Sequence, residues 1–362
     1  MTAKSGALVG TPRRSLDVVL LLDDPTEFGG RTDGFETFLF VSEVIDAIEP
    51  ALRRLGHRSR RLSFAMGVPA LVESLAAERP DVVFHLGQPV PTDPASEAQA
   101  TALLDLLGLA HTSESPETLI LTRDKARAKA IFAHHGILTP WYAVSSDGEL
   151  PDVLPPAPWI AKPSLEDGSV GVACETAAHD HPTLGGRVRA LYDRFHEPIL
   201  VESFIDGREF QVGLVGSEIL PFVEIDFSKL PDDRPHIIGY ETKWKYDSVE
   251  FNGTRRLCPA PVSESVATDL RRLARRTAAA FGLTRCSRLD IRMNDRGELY
   301  VLDVNPNPDL SPVATTYLMA KAAGWGFDGL VQRLLELAQR GQAQDRQRTS
   351  SHANGKEDRQ WE

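Results

Sequence analysis

Two acids, an amide and an arginine stand at alternate positions of two short segments, Ser287-Arg288-Leu289-Asp290 and Asp303-Val304-Asn305. Asp295-Arg296-Gly297 between them is a hairpin signal, and a two-residue turn at Arg296-Gly297 sets Asp290 directly opposite Asp303. Alternate side chains of a strand share a face, so Arg288 joins Asp290 and Asn305 joins Asp303. Two facing carboxylates repel unless a cation lies between them. Carboxylate and amide oxygens, with water and substrate phosphate, are the ligands that Mg²⁺ takes. The ordinary alternative is a surface hairpin with an Arg–Asp cross-strand pair worth about 0.2–1 kcal/mol. Leu289, Ile291, Met293, Leu299, Val301 and Val304 on the same strands argue for shelter, and so for metal.

Other groups could hold phosphate or a nucleoside. Lys162 ends a predicted strand and opens Pro163-Ser164-Leu165-Glu166-Asp167-Gly168-Ser169-Val170-Gly171-Val172. Small residues there let backbone N–H groups approach phosphate oxygens, and the lysine supplies charge. No GxxxxGK[ST] occurs, which excludes a Walker-type loop. In Leu200-Val201-Glu202-Ser203-Phe204-Ile205-Asp206-Gly207-Arg208-Glu209, Glu202 and the backbone at Phe204 and Ile205 could read a base. Glu209 could accept ribose hydroxyls. Taken alone, that segment reads equally as an edge strand with solvated acids. Lys125, early on a helix, and Lys243, in Tyr240-Glu241-Thr242-Lys243-Trp244, are singly no more than solvated charges.

The elements that must carry these groups fall into two patterns. Asp17–Leu22, Arg58–Phe64 and Asp81–Leu86 read as strands. Phe35–Leu55, Val68–Glu78 and Ser96–Leu107 read as helices between and after them. That is a parallel, Rossmann-like α/β layer, and it lacks a GxGxxG after its first strand. From Ser115 the pattern changes to α+β. A helix to His135 is followed by strands at Trp159–Lys162, Ile199–Phe204, Glu209–Leu214 and Ile219–Phe227. Helices at Glu264–Phe281, Pro312–Ala323 and Phe327–Gln339 flank the hairpin. Beyond Gly341 the chain is polar and aperiodic, which predicts a disordered tail.

The 362 residues are 42% hydrophobic with a net charge of −11, enough for two or three domains and unsuited to nucleic acid or an anionic membrane surface. Cys174, Cys258 and Cys286 have no metal-binding spacing. Together with the absence of a leader or a spanning apolar run, they predict a cytoplasmic protein.

The order of the pieces is helix lysine, strand lysine with glycine loop, hinge acids, a further lysine, Arg-x-Asp and Asp-x-Asn. It resembles the ATP-grasp superfamily, and within it the D-alanine–D-alanine ligase family, over roughly Asp81 to Ala338. Gly136-Ile137-Leu138-Thr139-Pro140 and Leu257-Cys258-Pro259-Ala260 add to the match. The resemblance implies an N-terminal Rossmann-like domain at 16–122, then a two-lobed ATP-grasp fold. Its central lobe spans 123–215 and its C-terminal, metal-binding lobe 216–340, with disordered ends at 1–15 and 341–362. It implies that Lys125, Lys162 and the loop at Gly168-Ser169 bind ATP phosphates, with Lys243 facing the γ-phosphate. Glu202 with the Phe204–Ile205 backbone would hold adenine, and Glu209 ribose. Asp290, Asp303 and Asn305 would bind Mg²⁺ or Mn²⁺, as two ions. Arg288, with Lys243, would stabilise the acyl phosphate and the oxyanion that follows it.

The amino-acid half departs from the family. Its Glu-Gly-Ser-Ser loop reads Glu166-Asp167-Gly168-Ser169, and the tyrosine after the phosphate lysine is Trp244. The family's Glu-Val-Ser segment has no counterpart near Asp23 to Glu43. After Asn305 the chain reads Pro306-Asn307-Pro308-Asp309-Leu310-Ser311, with Asp309 replacing a glycine beside the acceptor amino acid. Ala314 stands where a serine binds the acceptor carboxylate. Asp309, Leu310 and Ser311 are the candidate acceptor contacts. The expectation is an ADP-forming carboxylate–amine ligase with its own small-molecule substrate pair, with room for a homodimer. The alternatives are a true D-alanine–D-alanine ligase of cell-wall synthesis, an ATP-grasp phosphotransferase, or a non-catalytic ATP-binding module.

Overall fold

The computed structural model describes residues 14–22, 35–86, 95–172, 177–245 and 247–354. The first third forms β1 (Asp17–Leu22), α1 (Phe35–Arg54), β2 (Arg58–Ser63), α2 (Val68–Ala77), β3 (Val82–His85) and α3 (Ser96–Leu106). The strands pair in parallel in the order β2-β1-β3. In β1, Val18 and Leu20 enter one core while Val19 and Leu21 enter another on the opposite face. Cover on both faces is why this strand is an unbroken apolar run. Edge strand β2 instead carries Arg58 and Arg61, ion-paired to Asp17 and Glu49.

Where the spacing predicts one helix from Ser115 to His135, the structure has two, α4 (Pro116–Arg123) and α5 (Lys125–His134). Asp124 makes the break. Its backbone is extended, and its carboxylate accepts the N–H groups of Ala126 and Arg127, capping α5. Lys125 thus becomes the first residue of α5, its own N–H donated to the Ser164 carbonyl.

Next come β4 (Tyr142–Ser145), β5 (Trp159–Pro163), β6 (Ala177–Ala178), α6 (His181–Phe195) and β7 (Ile199–Ser203). They form an antiparallel sheet of order β4-β7-β5-β6 under α6. Its core is its own: Trp159, Ala161, Leu184, Val188, Ile199 and Val201. Sequence reasoning missed β4 and α6.

The remaining elements are β8 (Arg208–Val215), β9 (Glu218–Ile219), β10 (Val223–Asp226), α7 (Tyr240–Trp244), α8 (Val249–Gly253), β11 (Arg255–Leu257) and α9 (Glu264–Phe281). They continue with β12 (Cys286–Met293), β13 (Leu299–Asn305), α10 (Thr315–Ala322) and α11 (Phe327–Asn354). The sheet runs β11-β10-β8-β12-β13, with β9 on β8. The strand predicted over Ile219–Phe227 is two, β9 and β10, separated around Pro221, which cannot donate to a ladder. The division at 215 also shifts. β8 lies between β10 and β12, so the change of sheet falls between Ser203 and Arg208. Gly207 makes the crossing at φ 130°, where a Cβ would lie 2.2 Å from the Met293 carbonyl oxygen. α5, expected in the central lobe, packs through Ala128 and Phe132 against α9 and the buried face of this sheet.

On that face lie Phe210, Val212, Leu214, Leu289, Ile291, Val301 and Val304. The alternate residues of β8 and β12, from Glu209 to Gly213 and from Arg288 to Arg292, are left for the other face. Helix α11 joins this lobe to the first. Leu330, Val331, Leu334, Leu335 and Ala338 share a core with Leu20, Ile48, Leu52 and Phe84. It continues to Asn354, past Gly341, where polar composition predicts a disordered tail, because its helical run is not interrupted there. Residues 1–13 of the predicted N-terminal extension and residues 355–362 lie outside the described residues. Among the described residues no helix is long and apolar enough to cross a membrane.

Candidate active site

β12 and β13 set Asp290 opposite Asp303 and Arg288 opposite Asn305, the expected register, by a different route. The turn holds three residues, with Asn294 N–H donated to the Glu298 carbonyl. Pairs next to the turn are therefore offset by one, Ile291 with Val301 and Met293 with Leu299. A bulge between the Ile291 and Asp290 pairs restores the register. It also keeps Val301 and Val304 both on the buried face although three positions separate them. β8 extends the row, with Gln211 beside Asp290 and Gly213 beside Arg288.

The two acids are treated differently. Arg288 grips Asp290 with two nitrogens at 2.8 and 3.1 Å, and Asn305 Nδ2 donates to it at 3.2 Å. Burial works to raise Asp290, but the Arg288 charge and hydrogen bonds, with Lys243, hold it below the usual carboxylate range. Asp303 accepts the N–H of Val304 at 3.0 Å. Its carboxyl is pushed up by burial, with Asp167 and Asp290 adding to that and Lys125 and Lys162 opposing it.

The hairpin forms one wall of a cleft that opens to solvent. It is lined by Lys125, Lys162, Gly168, Ser169, Glu202, Phe204, Ile205, Glu209, Lys243, Asp290, Asp303 and Asn305. All the predicted nucleotide and metal positions thus converge. Arg288, Asp309, Leu310 and Ser311 are not among its walls; Arg288 stands behind Asp290. The loop after β5 is fixed at several points. Ser164 N–H is donated to the Pro198 carbonyl and Leu165 N–H to Glu197. Ser169, at φ 64°, donates its hydroxyl to the Ile238 carbonyl. Gly171 is required: at φ 74°, a Cβ there would meet the Pro163 ring at 2.7 Å.

The cationic wall is built around one acid. Glu202 Oε1 lies 2.6 Å from Lys162 Nζ, and Oε2 lies 2.6 Å from Lys129 Nζ. Lys129 donates its aligned hydrogen bond to Thr139 Oγ1 at 2.7 Å, and Thr139 donates to the Val301 carbonyl. The Oε2 contact is an ion pair by distance, without hydrogen-bond alignment. Burial opposes the Lys162 charge, yet Glu202 and Asp303 raise its affinity for a proton. Burial also raises the cost of the Glu202 charge, and the two lysines more than offset it. Lys129 is pushed down by burial against the pull of Glu202. We take the trio as charged, because both ammoniums touch the same carboxylate. Lys125 donates to the Glu166 carbonyl. Lys243 is pushed down by burial and by Arg288.

Sequence reasoning missed Lys129 and Arg292, although each had a signal. Lys129 follows Lys125 by four residues, one helical turn, and Arg292 follows Asp290 by two, on the same strand face. Arg292 donates two hydrogen bonds to Glu209 Oε2 and one to the Ile205 carbonyl. Its guanidinium lies between the Phe204 and Phe227 rings, 5.1 and 5.6 Å from their centroids.

At the predicted acceptor positions, Ser311 gives both its N–H (2.7 Å) and its hydroxyl (3.0 Å) to Asp309. Burial pushes Asp309 up, and Glu43 adds to this while Ser311 and Arg288 pull it down. The side chain of Trp244 and the thiol of Cys174 lie outside the described residues. Burial lifts the Cys258 thiol to about 11 and Cys286 to about 12, so neither is a thiolate at neutral pH.

Among the described residues no group of three or more His, Cys, Asp or Glu side chains is arranged to hold a metal. The hairpin instead offers two carboxylates and an amide, and among the described residues no ammonium or guanidinium is bonded to the half-buried Asp303. That donor set fits a hard divalent cation that takes its remaining ligands from water and phosphate.

The family model described as D-ala D-ala ligase C-terminus matches residues 156–336. The chain is 30% identical over 297 residues to D-alanine–D-alanine ligase of Maridesulfovibrio salexigens, covering 81% of this chain and 91% of that one. It is 31% identical over 245 residues to the ligase of Citrifermentans bemidjiense, covering 67% and 74%. The solved structure of D-alanine–D-alanine ligase from Bacillus anthracis complexed with ATP superposes at a TM-score of 0.70 with 15% identity. That superposition covers 91% of this chain and all of that one.

Proposed function

The chain belongs to the D-alanine–D-alanine ligase family, and on that premise we propose how its cleft joins a carboxylate to an amine. It is an ATP-dependent, ADP-forming ligase of the ATP-grasp fold, and ATP and a divalent metal serve it. The observation that carries the residue assignment is one cleft with Asp290, Asp303 and Asn305 on one wall and Lys125, Lys162 and Lys243 on others. Acids for a cation and lysines for phosphates are the two halves of a Mg²⁺–triphosphate site.

Lys125, Lys162 and the Gly168-Ser169 loop hold phosphates, and Lys243 takes the γ-phosphate. The Phe204–Ile205 segment holds the base. Arg292 occupies Oε2 of Glu209, which leaves Oε1 for a ribose hydroxyl. Asp290, Asp303 and Asn305 would hold the divalent metal, as two ions, which would supply charge neutralisation on the phosphates. One oxygen of the donor carboxylate attacks the γ-phosphorus, the bond to the β-phosphate oxygen breaks, and ADP leaves. The acceptor amine attacks the acyl carbon of the resulting acyl phosphate. The amine loses a proton, inorganic phosphate departs and an amide remains. Arg288, held by Asp290, stabilises charge on the transferring phosphoryl group and the tetrahedral oxyanion. Cytosolic residence and lobes hinged between Ser203 and Arg208 complete the reading, with room for a homodimer.

The acceptor differs from D-alanine. Asp309 adds a half-buried carboxylate beside the acceptor, and Ser311, the hydroxyl that a shift of register would put in the place of the serine missing at Ala314, is committed to Asp309. Like charges and a missing hydrogen bond to a carboxylate together cost roughly 3–6 kcal/mol if they add. An acceptor with a second amine, or without a carboxylate, fits better. An ADP-release screen over pairs of amino acids and amines, with mass spectrometry of products, tests both statements. ADP release without an amide product contradicts the ligase assignment. D-alanine kcat/KM should fall about a hundredfold below the best acceptor. A value within tenfold returns the chain to ordinary D-alanine–D-alanine ligation.

A further inference from the structure

We infer that Lys129 is a positioning residue that frees the charge of Lys162 for phosphate by sharing the buried carboxylate of Glu202. This inference rests on the reading that the cleft binds ATP. Lys129 is 1% exposed and is absent from the cleft walls, so it acts through Glu202. Glu202 has one ammonium on each oxygen, both at 2.6 Å. One negative and two positive charges leave the trio at plus one, and of the two ammoniums Lys162 alone reaches the cleft. Without Lys129, Glu202 would neutralise Lys162, and a phosphate entering the cleft would meet a neutral pair.

A carboxylate clamped between two ammoniums in a low-dielectric site gives up those contacts only at high cost, so Glu202 is the counter-ion that orients Lys162. Lys129 is itself placed by Thr139, whose hydroxyl links it to the carbonyl of Val301 on β13. The phosphate lysine of the central sheet is therefore aligned on the strand that carries Asp303.

Calorimetric titration of the full chain with a non-hydrolysable ATP analogue and Mg²⁺ tests this. Lys129→Met should weaken binding roughly tenfold or more, the scale of one charge-assisted contact. Adding Glu202→Gln to Lys129→Met removes the neutralising acid and should bring affinity back to within about threefold of the parent, by double-mutant logic. A merely structural defect would not be repaired by a second buried substitution. Parent-like binding by Lys129→Met, or a double variant no tighter than the single one, overturns the inference while leaving the nucleotide site in place. Failure of the parent to bind the analogue overturns both. If Lys129→Met does not melt cooperatively, Thr139→Val keeps all three charges and removes the hydroxyl that ties Lys129 to the Val301 carbonyl. It should bind about threefold more weakly, and unchanged affinity counts against the inference.

Discussion

Glu202 on the central sheet, buried, and Asp303 on the C-terminal hairpin, half-buried, are carboxylates facing one cleft, and their surroundings push them in opposite directions. Glu202 is drawn below the usual range by two lysines that outweigh its burial. Asp303 is left above it, with a backbone N–H as its bonded partner and two further acids near by. A carboxylate whose charge is already compensated is part of the scaffold. One whose charge is uncompensated is completed by something that arrives. The same fold thus contains a finished ion cluster and an unfinished one, facing each other.

The largest test of that contrast is Asp303→Ala. Turnover should fall at least a thousandfold, about 4 kcal/mol, with the fold retained, read as ADP release at saturating Mg²⁺. Normal ADP production by the folded variant would remove the metal role. Next is Glu202→Gln, which leaves two ammoniums facing a neutral amide. Urea melts at pH 7 should show a loss of about 3 kcal/mol. Because the folded value of Glu202 is depressed, its contribution is present above the unfolded glutamate value near 4.3 and lost as pH falls through the folded one. The loss caused by the substitution should accordingly shrink on acidification. Lys162→Ala should weaken binding of the ATP analogue roughly 10- to 150-fold, with far less effect on amino-acid binding.

The smallest test has the opposite sign. The folded value of Asp303 is raised, so the native state holds a proton that the unfolded chain has lost, and stability declines as pH rises from about 3.9 through the folded value. Metal-free Asp303→Asn should therefore be more stable than the parent at pH 7, on the order of 1 kcal/mol, with the gain vanishing toward pH 4. A destabilised Asp303→Asn at neutral pH would place Asp303 among the finished pairs and erase the contrast.

Much of this was legible in the chain. Alternation put Arg288 and Asp290 on one face, and Asp290 did face Asp303, although the predicted turn was one residue too short and a bulge made up the difference. Bulges cancel offsets without a mark in the hydropathy pattern, so register at the site was legible and its cause was not. The break at Asp124 was hidden because Thr-Arg-Asp-Lys continues a helical pattern, and only the cap reveals the turn. The partners of Glu202 were hidden for another reason. Lys129 is 73 residues away, and nothing local distinguishes a buried lysine from a solvated one. The positions proposed for nucleotide and metal were picked out by type and order, and they line one cleft. The ion pairs that hold them depend on how three elements pack.

The shared core around α11 bears on how the chain is made. Ile48, Leu52 and Phe84, near the start, are covered by Leu330, Val331 and Leu334, near the end, and Arg54 is paired with Asp328 at 2.6 Å. A ribosome delivers the early residues first, so the first α/β layer must wait, with one face uncovered, until some 250 further residues have been added. The central sheet under α6 has its whole core within one stretch of chain and can close as soon as that stretch emerges. Helix α11 is thus the step that closes the face the first layer leaves open.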